Sequence, residues 1–300
     1  MKRFIKKLLP DFILNYLKAA RKKMRRNQWR RSVDKGDVPH LTQADLAKAF
    51  SGLGIKQGDD LFVHSAMSQI GMVEGAAPTV INALRDVIGD TGTLMFPAFT
   101  MARSAAETMR DTTPFNLDET SSTMGKISEV FRKLSGVKRS AHPTHSVAAL
   151  GPRADFYTEK HHLVGTPCGP GSPFQILSRQ SNGRILCLGS AFGKLTAVHV
   201  IEDEVEDFPV DVYLPDAFVK DVIFPDGSHL QVSTKVHDSR NADVRIDNYQ
   251  PKEDEILAAM LKAGVVTEGM VGQAKCYLIN APGLNKELHR LSKEGITIYA

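Results

Sequence analysis

His199 and Glu202 stand three residues apart in Thr196-Ala197-Val198-His199-Val200-Ile201-Glu202, a segment that reads as helix. Residues three apart on a helix are neighbours on one face, so an imidazole and a carboxylate meet there. The carboxylate favours the charged imidazole, which makes the histidine a better base. Asp203, Glu204, Glu206 and Asp207 continue the acidic run. Such a run draws in a cationic substrate. The same residues also suit the solvated end of an acidic helix.

Two further segments carry residues with chemical potential. Val63-His64-Ser65-Ala66-Met67-Ser68-Gln69-Ile70-Gly71 is a strand end that runs into small and hydroxyl side chains and then a glycine. Small side chains let a backbone approach a ligand, and backbone N–H groups in such a turn can hold phosphate. Ordinary turns share that composition. Lys138-Arg139-Ser140-Ala141-His142-Pro143-Thr144-His145-Ser146 sets two histidines three apart near an arginine. Metal ligation, phosphate binding and a polar turn before a strand all remain open there. A metal hydrolase built on His142, His145, His199 and Glu202 is one rival reading, and a non-catalytic binding module is another. Cys168, Cys187 and Cys276 are odd in number and widely spaced. That argues against a disulfide framework or zinc knuckle and for a reducing compartment. Cys187, inside the apolar run from Ile185 to Leu188, reads as a small buried hydrophobe; a reactive thiol needs a polar, positive setting.

The elements that position these residues alternate. Helix is predicted over Thr42 to Phe50, with Thr42 as its cap, then a strand over Leu61 to Val63 that ends at His64-Ser65. Helix follows over Ala77 to Ile88, ended by Gly89-Asp90-Thr91-Gly92, and a strand over Thr93 to Phe96, stopped by Pro97. Met124 to Leu134 reads as helix, Ser146 to Leu150 as strand, Pro173 to Arg179 as helix, Ile185 to Leu188 as strand and Thr196 to Glu206 as helix. Ala217 to Phe224 and His229 to Val236 flank Pro225-Asp226-Gly227, a hairpin signal. Glu253 to Ala263 reads as helix, Cys276 to Ile279 as strand and Leu284 to Leu291 as helix. The alternation predicts a layered α/β/α body, and the hairpin predicts that its sheet is mixed. A length of 300 residues, 42% hydrophobic and 24% charged, allows a sizeable core.

The net charge of +4 hides an asymmetry. Residues 1–31 hold twelve of the 38 Lys and Arg but one of the 34 Asp and Glu, Asp11. The remainder holds 26 basic and 33 acidic side chains. The chain therefore divides into a basic amphipathic arm and linker over 1–40 and an acidic body over 41–300. In the arm, Phe4, Ile5, Leu8, Leu9, Phe12, Ile13, Tyr16 and Leu17 recur at helical spacing as one apolar stripe. No run approaches the ~20 apolar residues of a membrane span, and Asp11 interrupts any signal-peptide core. Apolar stripe and cationic face fit a helix lying on an anionic membrane surface, with Trp29 at the interface. Packing on the body or on a second subunit of a homodimer fits too. A basic arm can also meet nucleic acid, but nothing in the body supports that partner: there is no zinc spacing and the body is acidic. The expected location is cytoplasmic, with peripheral contact at the inner membrane face.

Taken together, the motifs resemble the aminoglycoside 3-N-acetyltransferases, the antibiotic N-acetyltransferase family. The resemblance runs from about Leu41 to Leu291. It is carried by Gly-Ile-Lys-Gln-Gly-Asp-Asp-Leu-Phe-Val-His-Ser (Gly54 to Ser65), Ala-Leu-Arg-Asp-Val-Ile-Gly-Asp-Thr-Gly-Thr-Leu-Met-Phe-Pro (Ala83 to Pro97), the Val137 to Gly151 stretch, Gly171-Ser172-Pro173, the His-x-x-Glu of His199 and Glu202, and Glu268-Gly269-Met270-Val271-Gly272. It implies an α/β fold and acetyl-CoA as co-substrate. It implies that acetyl-CoA lies along His64, Ser65, Ala66, Ser68, Gly71 and Val73, helped by Arg139 and Ser140. It implies that His199 is the catalytic base, that the acceptor is an aminoglycoside 3-amino group, and that no metal is needed. An acidic residue before the last long helix orients that histidine in the family. Counting back from Gly269 gives Asp247, with Asp243 and Asp238 as rivals. The basic arm and the long stretch between Glu206 and Asp247 depart from the family pattern. The alternative acceptor is an amino sugar of surface-polysaccharide synthesis.

Overall fold

Leu61, Phe62 and Val63 point to alternate faces, as successive strand residues must, and the strand they form, β1 (Asp60–Ser65), is buried on both. Leu61 and Val63 pack with Leu94, Phe96, Leu186 and Leu188 on one side. Phe62 packs with Met95, Ile185 and Cys187 on the other. A side chain as fully buried as Phe62 contributes about 1.5–3 kcal/mol. The computed structural model describes residues 40–101 and 104–300, together with Met24. The amphipathic helix expected in the basic arm lies outside these residues, apart from Met24. Leu41–Ala300 forms one unit by its internal contacts.

The other strands of the main sheet are β2 (Thr93–Pro97), β3 (Lys138–Arg139), β4 (Val147–Leu150), β5 (Gly183–Leu188), β6 (Val266–Val271) and β7 (Ala274–Asn280). Their spatial order is β6-β7-β5-β1-β2-β4-β3. β1 runs parallel to β2 and β5, with Phe62 opposite both Met95 and Ile185. β4 is antiparallel to β2, and β7 is antiparallel to β5 and β6. Helices cover both faces, as a sheet buried on both sides requires. Gln43–Leu53 and Ala77–Ile88 bring Leu46, Phe50, Val80, Ile81 and Leu84 to one face. Pro173–Leu177, Gln250–Lys262 and Ala281–Lys293 bring Phe174, Ile256, Leu284 and Leu288 to the other. Thr42 caps its helix as expected, in a capping box with Asp45.

The layered mixed sheet is present, but the hairpin is not what mixes it. Phe218–Ile223 and His229–Thr234 form a separate three-stranded sheet with Phe115–Asn116. The physical reason is in their burial. Lys220, Val222, Val232 and Thr234 are buried while their alternating neighbours Val219, Asp221, Gln231 and Ser233 are exposed. A strand with one wet face cannot sit in the middle of this sheet. The helix expected over Thr196 to Glu206 is also different: Thr196–Val200 is a 3-10 turn that passes into the short α-helix Ile201–Glu204. His199 belongs to the 3-10 turn and Glu202 to the α-helix, and the two side chains still meet at 2.7 Å.

Candidate active site

Three parallel strands end at one place. His64 and Ser65 close β1, Pro97 closes β2, and Ser190 follows β5; all four line a cavity of about 450 Å³. Open α/β sheets hold their ligands at the carboxyl ends of their strands. His145, Thr196, His199, His237, Arg245 and Asp247 are further polar residues of its wall.

At its centre Glu202 is a shared acceptor. Its side chain is fully buried, while that of His199 is 12% exposed and that of His237 is 10% exposed. His199 Nδ1 lies 2.7 Å from Glu202 Oε1. His237 Nε2 lies 2.7 Å from Oε2. The Tyr299 hydroxyl donates to Oε1 at 2.6 Å. Burial alone would raise the Glu202 pKa; the charges and hydrogen bonds of His199 and His237 overturn that and hold it far below the usual carboxylate range. An ionised carboxylate only accepts, so the proton of a neutral His199 sits on Nδ1 and its lone pair on Nε2. Burial lowers the His199 pKa, the Glu202 charge and hydrogen bond raise it part of the way back, and His237 and Arg245 lower it again. The net direction is downward, so His199 is unprotonated at neutral pH. That is the state a general base must be in.

The carboxylate on His199 is therefore Glu202, not Asp247. Asp247 Oδ1 takes Arg245 Nε at 2.7 Å and its Oδ2 takes Arg245 Nη2 at 3.1 Å, with Lys194 Nζ 3.7 Å from that same Oδ2. An arginine two residues earlier in the chain captures both oxygens. Of the rivals, Asp238 is held by Arg240 and Asp243 is exposed. The acidic run is likewise partly absorbed by the fold. Asp203 accepts from the Tyr213 hydroxyl at 2.7 Å, and Glu204 ties Gln175, Arg179, Asn285 and His289 together.

Only part of the segment expected to hold acetyl-CoA reaches the cavity. His64 and Ser65 line it; Ala66, Ser68, Gly71 and Val73 do not. His64 Nε2 accepts from the Thr196 amide at 3.4 Å. The Ala66 amide is spent on the Leu188 carbonyl at 2.9 Å, so it is no oxyanion donor. Gly71 holds φ +104°, a conformation that glycine adopts without strain. Arg139 and Ser140 also lie outside the lining. The Arg139 guanidinium donates to the carbonyls of Leu117, Thr120 and Ala98 at 2.6–2.8 Å and covers the Phe115 ring. Ser140 Oγ accepts from the Val147 amide and bonds His161 Nδ1. Arg139, on β3, ties the main sheet to Phe115 of the three-stranded one. Arg139→Met should thus cost about 3 kcal/mol in a urea unfolding titration, since each buried carbonyl stranded costs about 1–3 kcal/mol. A weakened acetyl-CoA affinity at unchanged stability would restore the binding role.

The histidines expected beside Arg139 separate. His145 lines the cavity, while His142 is fully buried. The His142 ring stacks on His161 at 4.6 Å, its Nδ1 takes the His145 amide and its Nε2 faces Thr234. The proposed metal quartet is therefore not assembled. Among the described residues, His199, Glu202 and His237 do bring candidate ligand atoms within 4.8 Å of one another, and they are hydrogen-bonded to each other there. Cys168, Cys187 and Cys276 are all buried and free, and burial pushes their thiols up.

Burial lowers the pKa of His64 to about 4 and of His161 to about 3, and of His142 and His145 well below the ordinary value. An unfolded chain protonates these rings near pH 6.5 while the folded chain does not. Their stabilising contribution is full above that pH and falls by about 1.4 kcal/mol per group per pH unit below it, until each folded pKa is passed. Calorimetry should show a steep fall in Tm from pH 6.5 to 4.5. A flat Tm over that window would mean the rings are not buried neutral.

His237, Arg245 and Tyr299 belong to the site and no motif points to them. The separations of 35 positions from Glu202 to His237 and of 97 from Glu202 to Tyr299 are bridged only by the fold.

Comparison with known proteins agrees with this architecture. The family model for aminoglycoside 3-N-acetyltransferase matches residues 62–291. An aminoglycoside N(3)-acetyltransferase III of Salmonella sp is 34% identical over 255 residues, spanning 80% of this chain and 87% of its own. The crystal structure of the aminoglycoside acetyltransferase AAC(3)-Xa superposes with a TM-score of 0.74 at 27% identity, over 92% of this chain and 99% of its own. AAC-IIIb, solved as a binary complex with CoASH, shares the fold with a TM-score of 0.73 at 24% identity, over 87% and 100%.

Proposed function

Because the chain belongs to the aminoglycoside 3-N-acetyltransferase family, we propose that it transfers the acetyl group of acetyl-CoA to the 3-amino group of an aminoglycoside, with His199 as general base. The observation that carries this reading is the buried His199–Glu202 pair at the cavity wall, with its lone pair on Nε2.

An amine is protonated at pH 7 and cannot attack until it loses a proton. His199 Nε2 takes that proton, and Glu202 holds Nδ1–H and stabilises the imidazolium that forms. The amine nitrogen then bonds to the thioester carbonyl carbon. The tetrahedral oxyanion collapses, the C–S bond breaks, and the surplus proton on the nitrogen passes to the departing CoA thiolate, leaving the amide and free CoA thiol. Hydroxyls of Ser65, Ser190 and Thr196 line the same cavity and are the donors this reading assigns to the oxyanion. No acyl-enzyme is required, and none of the three buried cysteines lines the cavity. His64 and Ser65 are the residues of the expected acetyl-CoA segment that remain in contact with the cavity.

The test mixes the full chain with acetyl-CoA and a panel of aminoglycosides and amino sugars, and follows thiol release. Release that needs an aminoglycoside supports the reading. Release with amino sugars alone moves the acceptor to that class, and release with neither sinks acetyl transfer to these amines.

A further inference from the structure

His237 takes no part in the transfer just described, yet it is built into the base. Each Glu202 oxygen takes one imidazole at 2.7 Å, and the two rings meet edge to face with centroids 4.8 Å apart. The carboxylate between them is fully buried, so little water screens one ring from the other. Tyr213 grips His237 twice, through a backbone bridge and through ring contact at 5.0 Å. Fixing His237 in this way fixes the second oxygen of Glu202, and with it the direction of the first.

We propose that His237 is a positioning residue for the base: it donates Nε2–H to Glu202 Oε2, aims Oε1 at His199 Nδ1, and shares the carboxylate between two imidazoles. The proposal rests on His199 being the base. Groups facing His237 from neighbouring elements are His199, Glu202 and Asp203 on the segment after β5, Tyr213 on the bridged loop, and His145 at 6.1 Å. Arg245 and Tyr299 face the other two members of the trio. Without His237, Glu202 is left to bind the His199 proton alone, and a neighbouring imidazole that opposes protonation is gone. Both effects raise the His199 pKa.

The test compares the wild-type chain with His237→Phe, which removes the donor, and His237→Gln, which keeps an N–H donor but no titratable ring. Two readouts are taken on each: the pH profile of acetyl transfer, and an NMR titration of the 15N-labelled histidines, with His199 assigned by its loss in a His199→Gln chain. In wild type, His199 should carry its proton on Nδ1. In H237F both the NMR midpoint of His199 and the acid limb of the rate profile should move up by about one unit, and in H237Q by a smaller amount in the same direction. A His199 midpoint and tautomer unmoved in whichever variants fold overturns the proposal. The NMR readout decides even if no acceptor is acetylated, in which case the functional reading fails separately.

Discussion

Replacing His199 with alanine should cut turnover by about 10²–10⁴-fold, the usual worth of a general base, while acetyl-CoA still binds. The substitution removes a side chain at the cavity wall that is only 12% exposed but leaves Glu202 bonded to His237 and Tyr299. The buried carboxylate is thus not orphaned, and the fold should hold. An interaction made only in the transition state lowers kcat and kcat/KM together, so KM should move little. Thiol release at saturating acetyl-CoA gives kcat, and calorimetry gives the binding constant for acetyl-CoA. Wild-type kcat in H199A would remove His199 from the chemistry. Lost acetyl-CoA binding would make it a binding residue instead.

The difference between what the sequence shows and what the structure adds follows the range of each contact. The helix Ala77–Ile88 is legible to the residue, because its apolar spacing and the glycine after it are local signals. β1, β2 and β5 are legible as short apolar runs. β6 is hidden because Thr267, Glu268 and Gly269 interrupt it, and its partner β7 supplies the pattern it lacks. The hairpin is legible as a hairpin, but its sheet is not, because strand propensity carries no address. The site divides in the same way. His199 and Glu202 are three residues apart, and a helical reading pairs them at once. His237 and Tyr299 reach Glu202 only through tertiary packing. Spacing from Gly269 selects Asp247, yet spacing cannot show that Arg245 captures its oxygens first. The same limit applies to Arg139: a cation beside histidines looks ready for phosphate until its four donor contacts are seen to be protein atoms.

Glu202→Gln should be nearly as damaging as loss of His199, with a fall in turnover on the order of 10³–10⁴-fold, the scale seen when the carboxylate of a catalytic triad becomes an amide. The change keeps the volume of the side chain and alters only its hydrogen-bonding character. The carboxylate accepts from His199 Nδ1, His237 Nε2 and the Tyr299 hydroxyl. An amide presents one oxygen and one NH2 group, so one of the two imidazoles must meet a donor with a donor. If the NH2 faces His199, its proton moves from Nδ1 to Nε2 and the lone pair the reaction needs is lost. If it faces His237, His199 keeps its tautomer but loses the negative charge that stabilises its imidazolium. Either way the base is weakened. The charge now missing was ionised far below the working range, so raising the pH cannot restore it. Steady-state kinetics from pH 6 to 9 should therefore show a deficit present at every pH, with the acetyl-CoA KM little changed. A deficit confined to low pH would mean that Glu202 tunes His199 without being needed for its tautomer.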